Sequence, residues 1–182
     1  MHKELKLFLG ATSFFESAMG MLGPIYAIYV QNIGGDILTV GTAWSIFMIV
    51  SGIGIYIMGQ IEDRIRNDRK EIILGYVIMS LGLLGYIFVS NIYQLFVVQV
   101  VLGISIVISA PAKDSFYTKY LDKGKYDSEW AAWEGSWYMV TGLAALGGAY
   151  LVKVYNFRIL FVVMFVLSIV GLILITQLKD KK

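Results

Sequence analysis

The sequence contains no cysteine, one histidine and two prolines in 182 residues, and only 15% of it is charged. Without thiols there is no disulfide framework, no thiolate metal site and no thiol nucleophile. His2 sits at the extreme N-terminus, which excludes a Ser-His protease, an HExxH zinc centre and a bis-histidine haem site. The Gly124-Lys125 pair is followed by Tyr126, so no phosphate-binding P-loop is present. Neither a metal nor a cofactor is expected, and nothing here composes an enzyme. A dispersed net charge of +2 gives no footprint for nucleic acid.

What is present is apolar. Hydrophobic residues make up 58% of the chain, where a soluble domain has about half with a quarter charged, and the mean hydropathy is +0.71. No Asp, Glu, Lys or Arg occurs in the 41 residues from Ile72 through Ala112. As one helix that run would cross a hydrocarbon core of about 30 Å twice, so it folds back, with Ser90-Asn91 as the turn. The reading is an all-α integral membrane protein, one domain over 1–182, with six transmembrane helices at about 7–30, 37–58, 72–89, 92–110, 130–152 and 159–177. Barrel strands would alternate every second residue, and these segments do not. Residues 111–129 form the longest connection, an interfacial or partly helical segment.

Thirteen of the fifteen Lys and Arg flank one side of this arrangement, and only Lys153 and Arg158 flank the other. The positive-inside bias then makes both termini cytoplasmic in the cell (plasma) membrane. The expected surroundings are lipid bilayer.

Glu16 lies ten residues past Lys6, roughly 15 Å deep on a helix. An ionisable group at that depth usually faces a cavity and marks a proton, ion or substrate route, so Glu16 is the leading candidate, with an interhelical structural glutamate as the alternative. Ser13, Glu16, Gly20 and Gly23 share its stripe. Pro24 interrupts the ladder and can kink this helix. Gly142, Gly147 and Gly148 let another backbone approach the fifth span. Tyr26, Trp44 and Trp137 are candidates to line a substrate site. With Glu16 as the only deep charge, a neutral or cationic, partly apolar solute fits better than an anion.

The stretch Gly59-Gln60-Ile61-Glu62-Asp63-Arg64-Ile65-Arg66-Asn67-Asp68-Arg69-Lys70, between the second and third spans, resembles the signature loop of the major facilitator superfamily. Gly59, Asp63, Arg64, Arg69 and Lys70 match its glycine, Asp-Arg and basic pair. Gly20 to Val30, the Ala110-Pro111-Ala112 ending, the glycine-rich stretch from Gly142 and Asn156-Phe157-Arg158 are similar to that family's first, fourth, fifth and sixth helices. Gln99 stands where proton-coupled members often carry an arginine.

The resemblance covers essentially the whole chain, as one half of the usual twelve-helix transporter. It implies two inverted three-helix repeats and a solute site between two halves that rock in alternating access. The simplest completion is a second copy of this chain, a homodimer moving a small solute and coupled to protons through Glu16; a different six-helix partner or truncation of a longer protein satisfies the same geometry. From Met1 to the basic tail the sequence reads as complete. The resemblance also makes Asp63 and Arg64 or Arg69 gating residues, with Asp114 as partner of the arginine. The rival reading is a non-transporting membrane subunit or scaffold that packs through its glycine faces.

Overall fold

A computed structural model describes residues 2–179 apart from Arg66, and the side chains of 61–65 also lie outside the described residues. The chain is helical throughout: α1 (Lys3–Leu22), a single 3-10 turn (Gly23–Ile25), α2 (Tyr26–Asn32), α3 (Ile37–Ile65), α4 (Asp68–Tyr86), α5 (Ile92–Lys119), α6 (Tyr126–Val154) and α7 (Phe157–Ile175). Among the described residues, four helices are long and apolar enough to cross a membrane: α3, α5, α6 and α7. Two others are less apolar. α1 carries Lys3, Glu4, Lys6 and Glu16, and α4 opens on Asp68, Arg69, Lys70 and Glu71, which leaves about 22 Å of uncharged helix from Ile72 to Tyr86.

Helix starts follow from local chemistry. The Asn67, Asn91 and Asn156 side chains accept from the backbone N–H groups of Lys70, Gln94 and Ile159 at 3.3, 3.1 and 3.0 Å. Asp36 does the same for Thr39 ahead of α3, at 2.8 Å. Each satisfies a donor that the first helical turn leaves open. Gly34, with φ 86°, takes the left-handed conformation that ends α2 at little steric cost.

Among the helix ends that differ from the sequence reading, two reshape the 111–129 connection. Pro111 is not a terminus: α5 continues through it to Lys119. One lost ladder bond is outweighed because Ala112, Phe116 and Tyr117 are buried, with both rings against Phe8 of α1 at centroid distances of 5.4 and 5.9 Å. α6 likewise starts at Tyr126, so the 111–129 connection shrinks to residues 120–125.

The helices pack in a repeating pattern. α1 lies against α6 and α7, α5 lies against α3 and α4, and α4 meets α7. One end of the bundle gathers both described termini with the end of α5: Glu4 accepts from the Lys179 N–H at 3.2 Å, and the Tyr120 hydroxyl donates to the Lys179 carbonyl at 2.5 Å. At the other end Tyr29, Tyr86, Phe157 and Phe161 form an aromatic cluster. α3 and α6 are the least covered of the four long apolar helices, with only 11% of the apolar stretch of each buried.

Candidate functional site

Among the described residues, two cavities lie along α1. The 3-10 turn at Gly23–Ile25 carries Pro24, whose missing N–H interrupts the regular ladder. The residue that follows this turn, Tyr26, is buried at the start of α2. There it meets Gln99, 4% exposed on α5. The Gln99 amide donates to the Tyr26 hydroxyl at 2.5 Å and to the Tyr86 hydroxyl at 3.4 Å. The Trp44 ring on α3 stands 6.5 Å from the Tyr26 ring. Together with Met19, Leu22, Gly23 and Phe47 these residues line a cavity of about 40 Å³, room for a few waters. Three residues chosen from sequence, Tyr26, Trp44 and Gln99, thus meet. Tyr86 joins them, and sequence reasoning passes over it because an aromatic near a span end reads as an interfacial belt residue.

The second cavity, about 170 Å³, is lined by Phe15, Glu16, Met19, Phe47, Tyr76, Met79, Ile106 and Lys113. Met19 and Phe47 line both cavities, so these two side chains form the wall between them. Glu16 accepts a hydrogen bond from the indole Nε1 of Trp137 on α6 at 2.9 Å. The Lys113 ammonium sits 5.8 Å above the Tyr76 ring, close enough for a cation–π attraction. Glu16 is therefore not the sole charge of its cavity. The sequence reading places Lys113 in the 111–129 connection; the continuation of α5 past Pro111 carries it to the cavity wall instead, and the argument against an anionic group on the solute falls with it.

The glycines divide by what a side chain would meet. A Cβ at Gly148 would lie 2.1 Å from the Met21 carbonyl oxygen, and one at Gly20 would lie 3.1 Å from Thr141. These two set the close approach of α1 and α6. Gly147 has only an ordinary contact at 3.8 Å, and a Cβ at Gly23 or Gly142 would meet nothing described within 4 Å, so neither sets a close helix approach within the described residues. Tight contacts that the sequence reading does not single out occur at Gly75 against Ser109, at 2.5 Å, and at Gly171 against Phe15, at 2.7 Å.

The family model of the Major Facilitator Superfamily matches residues 8–182. The chain belongs to the major facilitator superfamily. An uncharacterized MFS-type transporter of Methanocaldococcus jannaschii is 28% identical over 74 residues, which is 40% of this chain and 19% of that protein. The chain thus matches about a fifth of that relative's length.

In this major facilitator protein the signature loop lies partly outside the described residues, and Asp63 and Arg64 fall there. Gly59 is half-buried in α3 with open space around it, and Lys70 is exposed on α4. Arg69 donates to the Thr176 carbonyl at the end of α7, at 2.7 Å, rather than to Asp114. Asp114 is exposed on α5. The acid that does bridge α4 and α5 is Asp68, 8% exposed, which pairs with Lys119 at 2.5 Å and accepts from Ser115 at 3.2 Å. Nothing in the spacing separates Asp68 from the charged residues before it; only the lie of α4 on α5 does.

Proposed function

We propose that this chain is a half-size secondary transporter with six membrane spans, which pairs with a second copy of itself and moves a small solute by alternating access, with Glu16 as its proton-carrying group. The observation that carries the reading is where the bare surface lies. α3 and α6 supply Phe47 and Trp137 to the Glu16 site, and both leave large apolar side chains exposed beside it. Trp44, Met48 and Ile53 protrude from α3, and Met139, Leu143 and Leu146 from α6, each between 47% and 73% exposed. A second half seated on these two helices would close the Glu16 cavity into a compartment between halves. Gly142, bare within the chain, lies on the same surface.

The packing pattern supports two inverted repeats. Taking α1 with α2, α3 and α4 as one repeat and α5, α6 and α7 as the other, the contact of α1 with α6 corresponds to that of α5 with α3. The contact of α1 with α7 corresponds to that of α5 with α4, and α4 on α7 corresponds to itself. In this reading α1 and α2 act as one span bent at Gly23–Ile25, and α4 with residues 87–89 as another. The end that holds both described termini faces the cytoplasm of a cell in whose plasma membrane the protein resides, because most Lys and Arg lie there. Asp63 and Arg64 of the signature loop hold one access state; cysteine accessibility unchanged by Asp63→Asn would remove that role.

The test is the mass of the chain in lipid nanodiscs, by native mass spectrometry over a dilution series. A dimer that persists on dilution supports the second copy. A monomer at every concentration overturns the homodimer and directs the search to a different partner half or a longer chain. Proteoliposome flux then separates transport from a scaffold: flux abolished by Glu16→Gln supports the first, and intact assembly without flux in either form supports the second.

A further inference from the structure

We infer that the Glu16 cavity binds an apolar solute carrying both an ammonium and a carboxylate group; the inference rests on the transporter reading only for what happens to the solute after it binds. Glu16 and Lys113 line one cavity without forming an ion pair, and Lys113 makes none with any described residue. The Trp137 indole occupies Oε2 of Glu16, which leaves Oε1 to accept. The Tyr76 hydroxyl is a third free group. Tyr76 is 1% exposed and lines the cavity, and its oxygen has no hydrogen-bond partner. A buried hydroxyl without a partner loses the bonds it had to water, and a carboxylate placed between it and the Lys113 ammonium restores one.

The two charges select by repulsion as much as by attraction. A simple anion meets Glu16, a simple cation meets Lys113, and a solute with both charges satisfies each. Between the poles the wall is apolar, formed by Phe15, Met19, Phe47, Met79 and Ile106, so burial favours a hydrocarbon body. The facing helices contribute few other charges. Asp114, which follows Lys113 on α5 and feels its charge without an ion pair, and Glu134 of α6 are exposed and line neither cavity, and no cluster of metal-binding side chains occurs among the described residues. The solute class is therefore that of neutral amino acids with apolar side chains, or of longer apolar chains bearing the same two end groups.

Calorimetry on the full chain in nanodiscs tests this with leucine, with isopentylamine, which lacks its carboxylate, and with 4-methylpentanoate, which lacks its ammonium. 6-Aminohexanoate is run beside them as the solute with widely separated charges. At least one of the two doubly charged probes is expected to bind tenfold or more tightly than either singly charged one. Lys113→Gln should erase its advantage over the amine, and Glu16→Gln its advantage over the acid. Tyr76→Phe should weaken the acid and the doubly charged probe while leaving the amine unchanged, a pattern that general loss of folding would not give. Equal or tighter binding of the amine or the acid, or binding of none of the four at millimolar concentration, overturns the inference. Tight leucine binding without leucine counterflow in proteoliposomes would sink the transporter reading and leave the site standing. Counterflow of the amine with no binding of leucine or 6-aminohexanoate would do the reverse.

Discussion

Glu16 of α1 and Trp137 of α6, 121 residues apart in the chain, meet through a 2.9 Å hydrogen bond from the indole Nε1 to the carboxylate Oε2. An indole N–H can only donate and a carboxylate only accept, so the pair has one sense. It orients the acid while leaving its second oxygen turned to other partners. The bond also ties α1 to α6, one of the two least covered of the four long apolar helices.

Trp137→Phe should lower stability by about 1 kcal/mol, the net value of a partly exposed hydrogen bond to a charged group, and should reduce solute flux with Glu16 intact. Glu16→Gln should reduce flux further, and the double variant should lose no more than Glu16→Gln alone. Initial rates in proteoliposomes, arranged as a double-mutant cycle, read this directly. Additive losses would mean that the two residues act separately.

Gly148→Ala should destabilise the bundle by about 1–3 kcal/mol, as overpacking does, because the new Cβ would meet backbone of α1 at Met21, which cannot swing aside. Gly142→Ala, which meets no such neighbour, should not destabilise the isolated chain and should add up to about 1 kcal/mol through helix propensity. Unfolding in mixed detergent micelles compares the two. If Gly142→Ala instead weakens the dimer, its surface is the one the second copy covers.

Gln99→Leu keeps the volume and removes the amide that bonds to the Tyr26 and Tyr86 hydroxyls. Leaving buried hydroxyls unpaired costs about 1–3 kcal/mol. Adding Tyr26→Phe and Tyr86→Phe should recover most of that loss, since replacing both partners by apolar groups is nearly neutral. A triple variant less stable than the single one would show that the hydroxyls have other partners.

Asp36 offers a pH-dependent contribution at the start of α3. The Thr39 hydroxyl and the Thr39 backbone N–H both donate to its Oδ1, at 2.6 and 2.8 Å, and these bonds hold the carboxyl below its usual range. A depressed native value contributes stability above the unfolded pKa of about 3.9 and loses it as pH falls through the native one. The Tm gap between wild type and Asp36→Ala should therefore be constant from about pH 7 to pH 5 and narrow below about pH 4. Because Asp36 is exposed, the gap is small, and thermal scans in nanodiscs at matched ionic strength resolve it. A gap of the same size at pH 3 would mean that the cap does not depend on the charge.

Much of this protein is legible in the order of its residues. The charge-free 41-residue run admits only a membrane as solvent, the turn residues separate its helices, and the pattern from Gly59 to Lys70 points to the superfamily whose family model matches residues 8–182. These are local properties, set by hydropathy, capping and short spacings, and a linear reading reaches them. Helix ends are less legible. Pro111 reads as a stop, and only the burial of Phe116 and Tyr117 against α1 shows why α5 continues.

What the sequence by itself determined is the solvent, the helical class and the family, because each depends on residues near one another in the chain. Only the tertiary structure decided that Lys113 shares the Glu16 cavity, that Asp68 of α4 pairs with Lys119 of α5, and that Gly20 and Gly148 rather than Gly142 bring helices together. Those facts depend on which face of one helix meets which face of another. A partner across the bundle leaves no mark in the spacing of either segment, since the side chain that neutralises, caps or crowds a residue comes from a helix tens of residues away.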